Sequence, residues 1–494
     1  MTFEIFNPWD VSTSSMLDNN DSPAYKKIEE LTGIHIIWYH SASANAQENF
    51  QLSIASNDYD DAYFLNSSYL NKGPDFYIEN DIMVDLQPLI AEYAPNYDYV
   101  RHLDEASYLT TLTDSGYAVG ISQLVQNKQW AFLGPLGRTD WLSELGLNMP
   151  RTYDEYHDVL VAFRDNYNPE APLGLAISGL DDWLMAGYDT VFIGAGGSSS
   201  PNNFLNFGGT VRYGALESGF KDFITMLSGW YAEGLVDRDF YTRTTIPGLQ
   251  TELILNHKLG IAASLYTFPD SLDHLSDAAN DPIDFYGFQV PVKNVGDTRK
   301  VLAGYSSMTL NKGLFGTIST NCDSPEILLQ WLDFFYTEEG ARIANYGIEG
   351  EAHTVINGVP MITDLIYNNP EGRINSMLPK YATAQTQPMW YDWQREIAPG
   401  TSQAVFDTEE LWDGNWEDVY TMPTITMTSE ESGEFGVIMA DINTYLSENI
   451  IPFIIGQRQM SEFDTMLAQI NTIGIGRATE IQQAALDRYL VRGN

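Results

Sequence analysis

Eleven tryptophans are spread along this chain, and several fall in polar segments where a helix or strand face does not account for them. Trp9 follows the first strand pattern, the place where parallel sheets build ligand sites. Trp183 sits in "LDDWLMAGY", Trp390 and Trp393 in "QPMWYDWQRE", and Trp412 and Trp416 in "EELWDGNWEDVY". Flat rings in such places can stack on the apolar C–H faces of a sugar while planar polar side chains take its hydroxyls. The competing reading is core packing. It is preferred for Trp141, Trp230 and Trp331, which lie on helix faces, and stands beside the ligand reading for Trp9, Trp183, Trp390 and Trp393. Asn66 ends a strand pattern and offers an amide, or else only shapes a turn. Arg138 could fork two hydroxyls or a carboxylate, or else pair with Asp140.

Other chemistry finds less support. No Gly-rich phosphate loop, His–Glu metal motif or Gly-x-Ser-x-Gly elbow occurs. The seven histidines show no ligand spacing, so no metal and no cofactor are expected. The 67 acids could supply a glycosidase pair, but that needs two carboxyls at roughly 5–9.5 Å, which spacing along the chain does not reveal. The single cysteine, Cys322, excludes a disulfide framework.

The elements that must position these residues alternate. Thr2–Asn7 reads as a strand, 22–32 as a helix, 34–39 as a strand, 45–55 as a helix and 62–65 as a strand. Such alternation predicts a largely parallel sheet covered by helices. A helix over 140–145 ends at Gly146. Thr152 and Glu155 form a capping-box pattern ahead of Tyr156, Val159, Leu160 and Phe163. A helix is expected over 218–231, strands over 260–265 and 285–290, and mostly helix over 438–490. In "WLDFFYTEEGARIANYGIEG", residues 331–350, an apolar helix gives way to a second, acid-started helix that Gly347 can close.

At 494 residues the chain exceeds a single core, so two or more domains are expected. Its net charge of −42 argues against nucleic acid and against anionic lipid surfaces as partners. No run of about 18 apolar residues occurs, and the opening residues are a strand pattern rather than a secretory leader.

Four segments in order resemble the extracellular solute-binding proteins of ABC importers, in the large lipoprotein branch that serves oligosaccharides. They are "AYKKIEELTGIHIIW" followed by "NFQLSIASNDYDDAYFL"; "GRTDWLSELGLNMPRTYDEYHDVLVAF"; the 331–350 segment; and "FIIGQRQMSEFDTMLAQINTIG". The resemblance implies an α/β, two-lobed periplasmic-binding-protein-like fold, with hinge segments crossing between the lobes and a ligand cleft. Lobe 1 would comprise 1–122 and 298–346, and lobe 2 123–297 and 347–494. Crossings are expected near 119–122, 289–292 and 346–350. Glu349 would then lie near the cleft mouth, and Tyr266 and Tyr305 at the crossing and cleft edge. The implied protein is no enzyme but a monomer that binds an oligosaccharide and meets membrane permease subunits. It would work outside the cell, lipid-anchored in its longer precursor. A secreted carbohydrate-active hydrolase and a binder of a cationic or peptide ligand remain the alternatives. Relatives often carry an acidic calcium loop after the capping-box helix. Here that place reads "RDNYNPEAPLGL", with only Asp165 and Glu170 as acids, so no calcium is expected there.

Overall fold

The structure is a computed structural model. It describes residues 1–8, 18–41, 43–126, 131, 133–176, 182–191, 203–243, 247–301, 311–367, 369, 374–384, 387–396, 401–413, 417 and 420–492. Strands are numbered in chain order: β1 (Thr2–Asn7), β2 (His35–His40), β3 (Ala62–Asn66), β4 (Ile121–Val125), β5 (Leu133–Arg138), β6 (Ala171–Gly174), β7 (Phe204–Phe207), β8 (Thr210–Tyr213), β9 (Leu259–Leu265), β10 (Phe285–Gly287), β11 (Asn311–Ile318), β12 (His353–Ile356), β13 (Val359–Ile362) and β14 (Trp390–Tyr391).

Two sheets organise the chain. The larger has the order β14-β4-β11-β3-β1-β2. Its pairs β1–β2, β1–β3 and β14–β4 are parallel, and β11 runs antiparallel to both β3 and β4. The smaller has the order β10-β5-β9-β6, with β5 antiparallel to its two neighbours and β6 parallel to β9. The alternation at the start of the chain folds as its pattern dictates. Helix Pro23–Thr32 starts at Ser22, whose hydroxyl accepts the Tyr25 amide, and ends at Gly33 in the left-handed conformation. It buries Ala24, Tyr25 and Ile28 against the larger sheet's core. Thr152 caps helix Tyr153–Tyr167 by accepting the Glu155 amide, whereas the Glu155 carboxylate takes the Arg151 amide, so the box is only half closed. At Thr428, opening helix Ser429–Ile454, both halves are present.

The chain passes from the larger sheet to the smaller between β4 and β5. It returns between Arg299, which donates to the Trp412 carbonyl, and β11. It leaves the larger sheet again after β14 to enter helix Gln403–Asp413, which packs on β10 of the smaller. The junctions therefore differ from those expected near 119–122, 289–292 and 346–350. Residues 121–122 lie within β4, and Val292 bridges to Thr152 beside the smaller sheet. Gly347, at φ 74°, ends helix Glu338–Tyr346 and turns the chain back into the β12–β13 hairpin. Tyr346, Ile362, Ile366, Met377 and Leu378 then share one apolar cluster, and helix Ile374–Tyr381 packs on Pro23–Thr32. Trp390–Tyr391 pairs with β4, so these residues lie on the larger sheet rather than in the second lobe, where the sequence reading has them.

Among the described residues no helix is long and apolar enough to cross a membrane.

Candidate functional site between the two sheets

The carboxyl ends of β1, β2 and β3 bring Asn7, His40 and Asn66 to one edge of the larger sheet. The same edge receives the residues that follow β14. Across from it, Tyr266 follows the carboxyl end of β9 in the smaller sheet. The two sides touch: the Tyr266 ring meets the Trp393 ring edge-on, with centroids 6.3 Å apart. Tyr266 is buried and Trp393 keeps 8% of its surface exposed.

The segment carrying Trp393 is held firmly. The Trp390 amide donates to the Phe335 carbonyl at 3.2 Å, and the Trp390 carbonyl accepts from Asn345 at 3.0 Å and Gln126 at 3.3 Å. Asn345 Oδ1 accepts the Asp392 amide at 2.9 Å. The Tyr346 hydroxyl donates to Asp392 Oδ2 at 2.7 Å. Burial and then the Asp392 charge push the Tyr346 hydroxyl well above its ordinary pKa, so it stays protonated and donating. Arg395, fully buried, donates to the Thr383 carbonyl at 2.7 Å and the Ala344 carbonyl at 3.3 Å. A ring braced in this way loses little conformational freedom when it binds a ligand. The indole Nε1 atoms of Trp390 and Trp393 are sealed from solvent and have no hydrogen-bond partner, which leaves two donors unspent.

The remaining predicted residues are placed as follows. Asn66 Oδ1 accepts from the Ser68 amide at 2.9 Å and the Ser68 hydroxyl at 2.5 Å, and so shapes the turn after β3. Arg138 is buried at the end of β5. It is chelated by Asp140 (2.5–3.1 Å), donates to His257 Nδ1 at 3.0 Å and lies 4.2 Å over the Trp141 ring. His257 Nε2 faces Asp281 at 2.8 Å, which fixes the imidazole as acceptor toward Arg138 and donor toward Asp281. Trp183 is fully buried, 6.0 Å from the Tyr156 ring. Glu349 sits on the turn after Gly347, with 60% of its side chain exposed and Arg342 3.9 Å away. Trp9 and Tyr305 lie outside the described residues. Trp412, in helix Gln403–Asp413, donates to the Pro135 carbonyl at 3.2 Å and lies on β5; a Cβ at Gly134 would meet its ring at 2.6 Å, so only glycine fits there.

The sequence reading missed Asn345, Arg395 and His40. His40 Nε2 accepts the Asn19 amide at 3.2 Å, and burial lowers its pKa, so it is neutral. Nothing local marks Arg395, because its carbonyl partners lie 12 and 51 residues away. Among the described residues no group of three His, Cys, Asp or Glu side chains could hold a metal ion. Cys322 is buried, and burial pushes its thiol up to about 11. That leaves it in the unreactive thiol form.

Two sheet-centred lobes with an aromatic contact between them are what a fold that closes on a ligand requires. No protein-family model matches the chain. Lipoprotein LipO of Bacillus subtilis is 25% identical over 481 residues, 90% of this chain and 85% of that protein. The fructooligosaccharide ABC transporter substrate-binding protein FusA of Streptococcus pneumoniae is 22% identical over 98% of this chain and 90% of its own length. Among solved structures, the HMO-binding, ABC-transporter-associated solute-binding protein from Bifidobacterium longum infantis superposes with a TM-score of 0.81 at 15% identity, with 99% of each chain covered. The chain is thus similar over nearly its whole length to ABC-transporter substrate-binding proteins. The alginate-binding protein AlgQ2 shares the fold as well, at a TM-score of 0.77 and 22% identity over 98% of both chains. In this solute-binding fold the contact between Tyr266 and Trp393 lies where the two lobes face each other.

Proposed function

We propose that this chain is the extracellular substrate-binding component of an ABC importer and captures an oligosaccharide by closing two lobes around it. The observation that carries this reading is the Tyr266–Trp393 contact, which joins the end of β9 to the segment after β14 on a braced backbone. Sugar rings stack on such aromatic faces, and the unspent indole donors of Trp390 and Trp393 suit hydroxyl acceptors. The relatives point the same way: FusA is described as fructooligosaccharide-binding and AlgQ2 as alginate-binding. In this reading the first lobe is built on the larger sheet, including 347–391, and the second on the smaller sheet with the C-terminal helices. The chain acts as a monomer, without catalysis, and delivers its ligand to membrane permease subunits. Its longer precursor is lipid-anchored at the outer face of the cell membrane. Of the predicted residues, Trp390, Trp393 and Tyr266 form the described part of the ligand site, with Trp9 and Tyr305 as further members.

A thermal-shift screen against kestose, nystose, oligogalacturonides and alginate oligosaccharides tests this. One class should raise the melting temperature, since a ligand at 100 times its Kd adds about 2.7 kcal/mol. Chromatography of the same mixtures should show intact sugar. Released products would favour a hydrolase. A shift by polyamines or peptides alone would move the ligand class.

A further inference from the structure

The lobes also meet through charge, at a place where no chain crosses. The C-terminal helix Ile475–Arg492 packs on helix Ser429–Ile454 and on β8. Helix Ser429–Ile454 packs in turn on helix Ser218–Ala232, whose exit residue Leu235 accepts the Leu173 amide of β6. These elements belong to the second lobe. The last two turns of the C-terminal helix reach the loop between helix Glu105–Thr110 and β4, which belongs to the first. Arg488 Nε donates to Asp114 Oδ2 at 2.5 Å, and its two terminal nitrogens donate to Glu431 at 2.5 and 3.0 Å. Arg492 Nη2 donates to Asp114 Oδ1 at 3.0 Å, and its Nη1 donates to the Leu112 and Thr113 carbonyls at 2.9 and 2.7 Å. The Thr426 hydroxyl donates to Asp114 Oδ1 at 3.0 Å. Asp114 shows only 2% of its side chain to solvent.

The network sits on the first lobe's face toward the second. Ser115, next to Asp114, donates to Asp75 of helix Pro74–Glu79. Gly73, just before that helix, lies so near Ser432 that a Cβ there would come within 3.3 Å of the serine Cβ. This helix follows closely on the carboxyl end of β3, the edge where the cleft lies.

We propose that Asp114, Arg488, Glu431 and Arg492 form an ionic clasp between the lobes, which breaks when the cleft opens and so biases the ligand-free protein toward the closed state. No backbone ties the two halves of the network at this point, so lobe separation draws Asp114 away from both arginines. On opening, the charges regain water, so the clasp adds a modest bias rather than a lock. A modest bias is sufficient to tune affinity, because apparent Kd scales inversely with the fraction in the binding-competent state. The inference rests on the lobe-closure reading. Its test uses no sugar, so it can fail while sugar binding stands.

The test is small-angle scattering of the ligand-free chain at about 0.15 M NaCl, since salt screens a pair this buried only weakly. The native protein sets the reference radius. Arg488→Gln should be expanded relative to it, and Arg488→Lys should fall between the two, because one ammonium cannot reproduce the fork that bridges Asp114 and Glu431. Asp114→Asn should behave as Arg488→Gln. Each variant must keep a cooperative melt. An unchanged radius in Arg488→Gln overturns the clasp. A radius that rises only together with loss of the cooperative melt also overturns it, and makes the network a folding anchor.

Discussion

Trp183 and Trp393 are both nearly buried, yet they are buried by different things. Trp183 lies against Tyr156 of helix Tyr153–Tyr167, and both belong to the smaller sheet's lobe. Trp393 follows a strand of the larger sheet and is met by Tyr266 from the smaller. Exposure does not separate these two rings; the identity of the elements that cover them does. A ring covered within one lobe must stay covered for that lobe to fold. A ring covered by the other lobe can be uncovered by hinge motion at little cost to folding.

The comparison is broken most sharply by truncation in the core. Trp183→Ala should cost about 3–5 kcal/mol of stability, read from chemical denaturation. Retained stability with lost sugar binding would move Trp183 into the site. Arg138→Met should come next, at about 3 kcal/mol, because it leaves Asp140 beside an emptied partner site. Affinity of the folded fraction should not change, since His257, Asp140 and Trp141 already occupy the guanidinium. Trp393→Ala should do the reverse. A stacked ring of this kind is worth about 1–3 kcal/mol, so affinity for whichever sugar gives the thermal shift should fall roughly tenfold to a hundredfold by calorimetry, with little change in melting temperature.

Local pattern carried the strand–helix alternation of 2–66 and the cap at Thr152, because spacing of apolar residues and capping chemistry are written within a few residues. The third junction was not legible for the same reason. Strand β14 is two residues long, too short to show a period, and it joins the larger sheet only by pairing with Leu124 and Val125 some 266 positions earlier. Gly347 was read correctly as a helix terminator, but a terminator does not say where the chain goes next. At Arg138 the Asp140 pairing was open to inspection two residues away, whereas His257 was not. Among the tryptophans, residue type and polar flanks picked out Trp390 and Trp393 as well as Trp183. What distinguishes them, the lobe of origin of the covering ring, exists only in three dimensions.

Acidity sharpens the comparison more gently, through two carboxyls that burial raises. Burial, then neighbouring acids, raises Asp60 from 3.8 to about 6. Burial likewise raises Asp273 from 3.8 to about 6, opposed by the Tyr286 hydroxyl that donates to it. Between those values the folded state holds more protons than the unfolded one, so this contribution to stability falls as pH rises and is gone above about pH 6. The melting temperature should therefore carry a downward component from pH 5 to pH 7, and Asp273→Asn should reduce it. Sugar affinity should stay nearly level over the same range.

The smallest expected effect is none at all, and it concerns calcium. Calcium takes six to eight oxygens at about 2.3–2.6 Å, so a site needs several uncommitted acids or carbonyls in one loop. After helix Tyr153–Tyr167 the two acids are committed elsewhere. Asp165 accepts from Arg164 at 2.7 Å, a bond that holds its carboxyl below the ordinary range. Glu170 accepts from Arg243 at 3.0 Å and has Lys258 at 3.3 Å; burial opposes its ionisation, but these cations still hold its carboxyl low. Three cations already neutralise two carboxylates, and a divalent ion would have to displace them against their own charge. Calcium added after EDTA treatment should leave the melting temperature where it was, both for the native chain and for Trp393→Ala. A reproducible rise of several degrees in both would place a metal in the lobe core, on the Trp183 side of the comparison. A rise in the native chain alone would place it at the junction.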